Sequence, residues 1–294
     1  MSSAASQPAA WTIESVLRWA ADDFRPRGIE TSRLDAELLL AHALSTTRIQ
    51  LVVDAKRPLD ADELARFREL VKRRRLREPV AYILGSREFY GRAFRVDARV
   101  LVPRPDTETL VEVALDRTRH IALAMRALDL CTGSGCVAIS LARERPTSQV
   151  LGADISLDAL AVARENALRL GAYNVAFCGG DLFESIDPSD RFDLVTANPP
   201  YVVSNEIDSL QPEICCHEPR VALDGGEDGL DIVRRIVRSA SAHLVRAGVL
   251  AIEVGAGSAP AVAELFAQAG FEQIAVVRDY GRIERVVSGV LQMR

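Results

Sequence analysis

The chain has 294 residues, 48% of them hydrophobic and 26% charged. These are ordinary proportions for a soluble globular protein, with room for one large or two modest domains. Its net charge of −5 weighs against a general nucleic-acid binder, and no apolar run approaches the ~20 residues of a membrane-spanning helix. The opening "MSSAASQPAAW" lacks a basic region followed by a hydrophobic stretch, so no export signal is expected; it reads as a short disordered tail.

The first part is predicted to be helical. Thr12 is placed to cap a helix that carries Ile13, Val16, Leu17 and Ala20 on one face. "TSRLDAELLLAHAL" repeats the pattern behind Thr31 or Ser32, with Leu34, Leu38 and Ala41 expected on the buried side. In "DADELARFRELVKRRRL", Asp60 and Glu63 have capping-box spacing, and Leu64, Phe67 and Val71 form the stripe. A helical domain is therefore expected over residues 1–84. Its "RFRELVKRRRLRE" segment is a local basic cluster: a solvated helix face, or a docking surface for an acidic partner.

The pattern then changes. "REFYGRAFRVD" reads as a hairpin. In "VLVPRPDTETLVEVAL" the prolines hold Val102 and Arg104 extended, and a helix starts at Pro105 or Asp106. From residue 126 onward strands and helices alternate. "RALDLCT", "SQVLGADI", "NVAFCGGD", "FDLVTANPPY" and "GVLAIEVG" are strands with helices between them, and "FEQIAVVRDY" and "IERVVSGVLQ" close the chain as an antiparallel pair. Near-continuous apolar strands separated by helices imply a mostly parallel sheet covered on both faces. The expected fold is α/β, a Rossmann-like sheet with an antiparallel final strand, over residues 85–294.

Four strand tips carry candidate chemistry. The first runs into "CTGSG", where Gly133 and Gly135 permit a tight turn at a helix start whose free N–H groups favour acceptor atoms on a ligand. The variant GxGxxA pattern leaves a nicotinamide cofactor open at this point. The second ends at Asp154, suited to two ribose hydroxyls. The third ends at Asp181, suited to an adenine amine, with Leu182 or Phe183 beside the ring. The fourth ends in Asn198-Pro199-Pro200-Tyr201. Two prolines stop the strand. There the Asn198 side-chain carbonyl and the Pro199 backbone carbonyl can each accept one N–H of a planar nitrogen, and Tyr201 can pack on the planar group. Such a nitrogen belongs to a carboxamide or to an exocyclic base amine.

Five cysteines, Cys131, Cys136, Cys178, Cys215 and Cys216, form no CxxC pair, which fits reduced thiols in a cytoplasmic protein. Adjacent Cys215 and Cys216 make a poor chelate and no second Cys/His cluster follows, so no metal is expected.

Together "LDLCTGSG", "GADIS", "GGDLF" and "NPPY" resemble class I S-adenosylmethionine-dependent methyltransferases acting on nitrogen. "EPVAYILGSREFYGRAFRVDARVLVPRPDTETLVE", "EPRVALDGGEDGLDIVRRI" and "RDYGRIERVV" narrow the resemblance to the peptide chain release factor glutamine methyltransferase family. The resemblance implies methylation of the glutamine amide in a Gly-Gly-Gln motif of release factors, with S-adenosylmethionine as donor and S-adenosylhomocysteine as product. It implies that Cys131, Thr132, Gly133, Ser134 and Gly135 hold the methionine moiety, Asp154 the ribose, and Asp181 with Leu182 the adenine. Asn198 would touch cofactor and substrate, while Pro199, Pro200 and Tyr201 complete the glutamine pocket. Pro103 to Glu108 would lie near the cofactor. The helical domain would grip the release factor, with the hairpin as linker. Neither a stable nucleic-acid partner nor a membrane is implied, and a cytoplasmic monomer is expected. Release-factor enzymes usually have glycine at the Cys131 position. "DLCTGSGC" is more familiar in a sister family that modifies a large-subunit ribosomal protein, which is the alternative substrate; a nucleic-acid amine is a more distant one.

Overall fold

The structure is a computed structural model that describes residues 11–121 and 123–292. Apart from Trp11, the expected N-terminal tail lies outside them. The chain divides into two compact units, Met1–Gly85 and Ser86–Arg294. Among the described residues no helix is long and apolar enough to cross a membrane.

The first unit holds α1 (Ile13–Phe24), α2 (Ser32–Ala43), α3 (Arg48–Val53), α4 (Ala61–Arg75) and α5 (Val80–Leu84). Capping boxes start α1 and α4. The Thr12 hydroxyl accepts the Ser15 N–H and the Ser15 hydroxyl accepts the Thr12 N–H. Asp60 and Glu63 exchange the equivalent bonds at 2.8 and 3.0 Å. Leu17, Phe24, Leu39, Leu40, Phe67 and Val71 fill the core. In α2 the buried side differs from the sequence expectation. Leu34 is 39% exposed, and Ala36, Leu39, Leu40 and Ala43 point inward with Ala41. The cause is Asp35, turned inward to accept from Arg74 Nε at 2.8 Å with both side chains buried. The arginine cluster is likewise part of the bundle. Arg75 donates twice to Asp23, at 2.8 and 2.9 Å, and Arg73 Nε donates to Glu78 at 2.7 Å. These three arginines tie helices together and do not present free charge.

The second unit opens with a hairpin of β1 (Ser86–Phe89) and β2 (Arg92–Arg95). A 3-10 turn, Pro105–Thr107, leads into α6 (Glu108–Arg117). Then follow β3 (Arg126–Leu130), α7 (Cys136–Glu144), β4 (Gln149–Asp154), α8 (Leu157–Arg169), β5 (Val175–Gly179) and β6 (Phe192–Ala197). The last elements are α9 (Pro212–Cys215), α10 (Asp231–Ala240), β7 (Leu244–Glu253), α11 (Ala259–Gln268), β8 (Phe271–Arg278) and β9 (Glu284–Leu291). Among the described residues seven strands form one sheet in the order β5-β4-β3-β6-β7-β9-β8, parallel from β5 to β7, with β9 antiparallel to both its neighbours.

Alternation along the strands sends neighbours to opposite cores. Ala127, Leu194 and Val249 pack with α6 and α7, while Leu128, Val195 and Leu250 pack with α10 and α11. The hairpin belongs to the first of these cores through Phe89 and Phe94. Asn166 of α8 reinforces it: its carbonyl accepts the Arg95 N–H at 2.7 Å, and its amide donates to the Arg95 and Ser134 carbonyls at 3.0 Å.

Candidate active site

The chain winds from β3 outward to β5, then returns to place β6 on the other side of β3. Open α/β sheets bind ligands at the carboxyl edge of such a reversal. The register fixes what meets there. Leu130 pairs with Ala153 on one side and Ala197 on the other, Asp154 pairs with Gly179, and Ala197 pairs with Ile252. The residues just beyond these pairs therefore stand side by side: the Cys131–Gly135 turn, Asp154, the Gly180–Leu182 segment, Asn198 and Glu253.

The turn after β3 is held from beneath by Asp129, which is 1% exposed. Its carboxylate accepts from the Thr132 hydroxyl at 2.6 Å and from the Thr196 hydroxyl at 2.8 Å. Burial pushes its pKa up to about 6, although these bonds oppose the shift. Gly135, at φ +79°, starts α7 where a Cβ would come within 2.9 Å of Ile139 and 3.2 Å of Ala163. Cys131 adopts φ +56°, in the left-handed region that favours glycine. This backbone explains why glycine suits the position. Burial raises the Cys131 thiol well above its ordinary pKa, so the side chain stays neutral.

Asp154 reaches back to the turn. Its carboxylate accepts the Gly133 N–H at 2.8 Å and the Ser156 N–H at 2.9 Å, and burial raises its pKa. Asp181 accepts from Arg235 Nη2 at 2.8 Å. Of the two candidates for the ring, Leu182 lines the cavity, whereas Phe183 is stacked on His243 with centroids 4.7 Å apart. Ile155, 57% exposed, lines the same space.

These tips surround one cavity of about 490 Å³, within the usual range for a small-molecule site. Cys131, Thr132, Gly133, Ser134, Asp154, Asp181, Leu182, Asn198 and Pro200 line it, as do Pro103, Arg104 and Thr107. Gly135, Pro199 and Tyr201 do not. Tyr201 is held against the glycine-rich segment that follows: the Val202 N–H donates to the Leu223 carbonyl at 2.9 Å and the Val202 carbonyl accepts the Gly225 N–H at 2.8 Å, and a Cβ on Gly229 would stand 2.5 Å from the Tyr201 carbonyl. A second clamp comes from buried Glu218, which accepts from Arg104 Nη2 at 2.6 Å and from the Val102 N–H at 3.4 Å. It binds the "VLVPRP" segment to "EPR", so two stretches far apart in sequence form one wall.

Behind Asn198 lies a polar floor. The Asn198 Nδ2 donates to the Thr107 hydroxyl at 3.1 Å. Glu253, 1% exposed at the end of β7, interacts through its carboxylate with both Thr107 and Asn198, while its Oε2 has no hydrogen-bond partner. Burial pushes the Glu253 pKa up to about 7; the Thr107 and Asn198 hydrogen bonds and Arg285 pull the other way. Arg285 donates to Asp279 at 3.0 Å and pairs with Asp106 at 3.3 Å. The Tyr201 hydroxyl is raised to about 12 by burial and by the nearby Glu253 charge.

Residues 15–85 match the PrmC N-terminal domain family and residues 122–217 a methyltransferase domain family. The chain is 45% identical to a release factor glutamine methyltransferase of Geobacter sulfurreducens, over 96% of this chain and 98% of that one. A release factor glutamine methyltransferase of Caulobacter vibrioides is 40% identical over 95% and 97%. The chain belongs to the release factor glutamine methyltransferase family. A solved T. thermophilus 16S rRNA N2 G1207 methyltransferase in complex with AdoMet and guanosine shares the fold at a TM-score of 0.51 and 18% identity, over 70% of this chain and 50% of that chain.

In this chain two neighbouring tips carry carboxylates, Asp154 and Asp181, beside the glycine turn, and the fourth carries the Asn198 amide. Sequence reasoning passed over Asp129, Arg235 and Glu253. For two of them a signal was present: Asp129 in "RALDL" and Glu253 in "GVLAIEVG" are lone acids inside runs that are otherwise apolar. A buried charge in such a run needs a reason.

Proposed function

We propose that the chain methylates the side-chain amide nitrogen of the glutamine in the Gly-Gly-Gln motif of peptide chain release factors, using S-adenosylmethionine. The observation that carries this reading is Asn198: it lines the cavity beside the glycine turn while its own amide nitrogen is occupied by Thr107. Its Oδ1 is therefore the end available to a planar N–H donor.

The cavity fits the donor. Asp154 supplies a carboxylate for ribose hydroxyls, Leu182 and Ile155 give apolar surface for a ring, and the turn from Cys131 to Ser134 gives room near the methionine end. Bound there, S-adenosylmethionine supplies an electrophilic methyl group on its sulfonium. The protein has to orient a weak nucleophile, because an amide lone pair is delocalised. Asn198 Oδ1 accepts one N–H and so favours the positive charge that develops on nitrogen. The Pro199 carbonyl is proposed to accept the other. A strong base is not required, since the nitrogen becomes acidic once alkylated. Holding the two reactants in line supplies much of the acceleration. The unit Met1–Gly85, matching the PrmC N-terminal domain, is proposed to recognise the release factor. The enzyme would act in the cytoplasm, where release factors meet ribosomes, without a metal, as a monomer.

The test is methyl transfer from labelled S-adenosylmethionine to release factor, wild type against Gln→Ala in the Gly-Gly-Gln motif. Label on wild type alone is expected. Label on neither protein overturns the proposal, and label on a ribosomal protein in its place moves the assignment to the sister substrate.

A further inference from the structure

We propose that Glu253, acting through Thr107, is a positioning residue that fixes which end of the Asn198 amide faces the substrate. This rests on the reading of Asn198 as the acceptor for the glutamine amide.

An asparagine side chain has two ends of nearly equal size and opposite hydrogen-bonding character. At the tip of β6 either end could face the cavity unless something distinguishes them. Only the orientation with Oδ1 outward can accept an N–H from the substrate; the reverse presents a donor to a donor. The register places Ala197 of β6 beside Ile252 of β7, so Asn198 and Glu253 follow each other at the same sheet edge. An ionised carboxylate is acceptor-only, whereas a threonine hydroxyl both donates and accepts. Asn198 Nδ2 meets the Thr107 hydroxyl oxygen at 3.1 Å; with the Glu253 carboxylate beside both side chains, the Thr107 O–H is inferred to turn toward Glu253, which leaves its oxygen to accept from Asn198. The polarity is then set in one direction: the N–H end of Asn198 faces Thr107 and the carboxylate, the Thr107 O–H faces Glu253, and both contacts leave Oδ1 outward. Carboxylate chemistry at one end dictates carbonyl chemistry at the other.

The surroundings fit this role. Thr107 and Glu253 are 2% and 1% exposed, so water does not compete for the relay. Thr107 comes from the Pro105–Thr107 turn, which Asp106 ties to Arg285 at 3.3 Å. Arg285 is in turn held by Asp279. The titratable and charged groups acting on Glu253 are Arg285 on β9, Asp106 before α6, Tyr201 after β6 and Cys136 on α7, with Asp279 behind Arg285. Arg285 is the cation among them and keeps the carboxylate accessible in its charged form. The "PRPDTE" and "RDYGRIERVV" segments thereby meet beneath Asn198-Pro-Pro-Tyr.

The test compares Glu253→Gln and Thr107→Val with wild type. Gln offers both a donor and an acceptor, so it no longer selects one orientation; Val removes the relay. Each should lower kcat by about ten- to a hundredfold with KM for S-adenosylmethionine unchanged, a misorientation effect. Thr107→Ser, which restores the hydroxyl, should recover most of the Thr107→Val loss. In wild type, kcat should rise with pH through about 7 as Glu253 ionises, and Glu253→Gln should abolish that limb. Independently of turnover, the side-chain amide ¹⁵N–¹H signals of Asn198 should move across the same pH range in the enzyme alone, and cease to move in Glu253→Gln. A Glu253→Gln enzyme within twofold of wild-type kcat, or an Asn198 signal indifferent to Glu253, overturns the proposal. Because the resonance readout needs no substrate, it decides the relay even if the release factor is not labelled.

Discussion

The helical bundle and the sheet tips treat buried charge in opposite ways. In the bundle, Asp35 and Arg74 are both buried and directly paired at 2.8 Å. At the sheet tips, Asp129 is surrounded by neutral hydroxyls, and Glu253 keeps an unpartnered oxygen near Arg285. The first arrangement neutralises its charge and specifies how helices fit. The second leaves carboxylates with pKa values pushed up to about 6 and about 7. Perturbed acids of this kind gather where chemistry is done. The difference separates charge that specifies how helices fit from charge held at the cavity edge at the expense of stability, which the proposed mechanism uses.

The largest effect should come from breaking the pair in the bundle. Asp35→Ala leaves the Arg74 guanidinium buried without its carboxylate, which should cost about 3–5 kcal/mol. Replacing both partners together, Asp35→Leu with Arg74→Met, should recover most of it. The two tryptophans, Trp11 and Trp19, both lie in this unit, so urea unfolding followed by tryptophan fluorescence reports on it directly. A loss below about 1 kcal/mol for the single variant would mean that water reaches Arg74.

At the sheet tips the corresponding deletion should affect rate and leave stability nearly intact. Asn198→Ala removes a preorganised acceptor and should lower kcat by about 10²–10³, with S-adenosylmethionine binding retained by calorimetry. A loss under tenfold would remove Asn198 from the acceptor role.

The third effect is a pH dependence, and its sign follows from the raised pKa. Glu253 binds its proton more tightly folded, at about 7, than at its ordinary value of 4.5. Its contribution to stability is therefore fully present below about 4.5 and is lost as pH rises toward 7. The change is roughly 3 kcal/mol, at 1.36 kcal/mol per pKa unit. Glu253→Gln carries no charge to bury, so relative to wild type it should be more stable at pH 8 than at pH 5. Thermal melts of both proteins at the two pH values measure this. Parallel shifts would place Glu253 in contact with water.

What the sequence revealed follows from how local each signal is. Strand tips at Gly133, Asp154, Asp181 and Asn198 announce themselves through glycine, acid and proline at the ends of apolar runs, and the sheet order then brings them together. Capping at Thr12 and Asp60 is equally local. The rotation of α2 was not legible, because it depends on Arg74, 39 residues further along the chain. Nor was the floor beneath Asn198 legible. Thr107, Glu253 and Arg285 lie on three separated segments, and only the register between β6 and β7 and the packing of the Pro105–Thr107 turn join them. The basic cluster misled for the same reason: composition counts arginines, while Asp23, Asp35 and Glu78 decide whether they are free.

The smallest effect concerns Cys131, where backbone and side chain give different expectations. At φ +56° a non-glycine residue carries left-handed strain of about 1 kcal/mol. Cys131→Gly relieves that strain but frees the unfolded chain by about 0.4–1 kcal/mol and gives up the contacts of a half-buried sulfur. The two terms nearly cancel, so stability should change by less than about 1 kcal/mol. The same substitution at Cys136, the first residue of α7, has no left-handed strain to relieve and should therefore cost more than Cys131→Gly, up to the ~1 kcal/mol of a glycine in a helix interior. If Cys131 matters only through its backbone, Cys131→Gly should also leave the ratio of methyl transfer to release factor over ribosomal protein within about threefold, measured in one competition assay. The thiol is neutral and offers neither substrate a charge to read. A tenfold change in that ratio would show that the side chain itself takes part in choosing the protein whose glutamine enters the site.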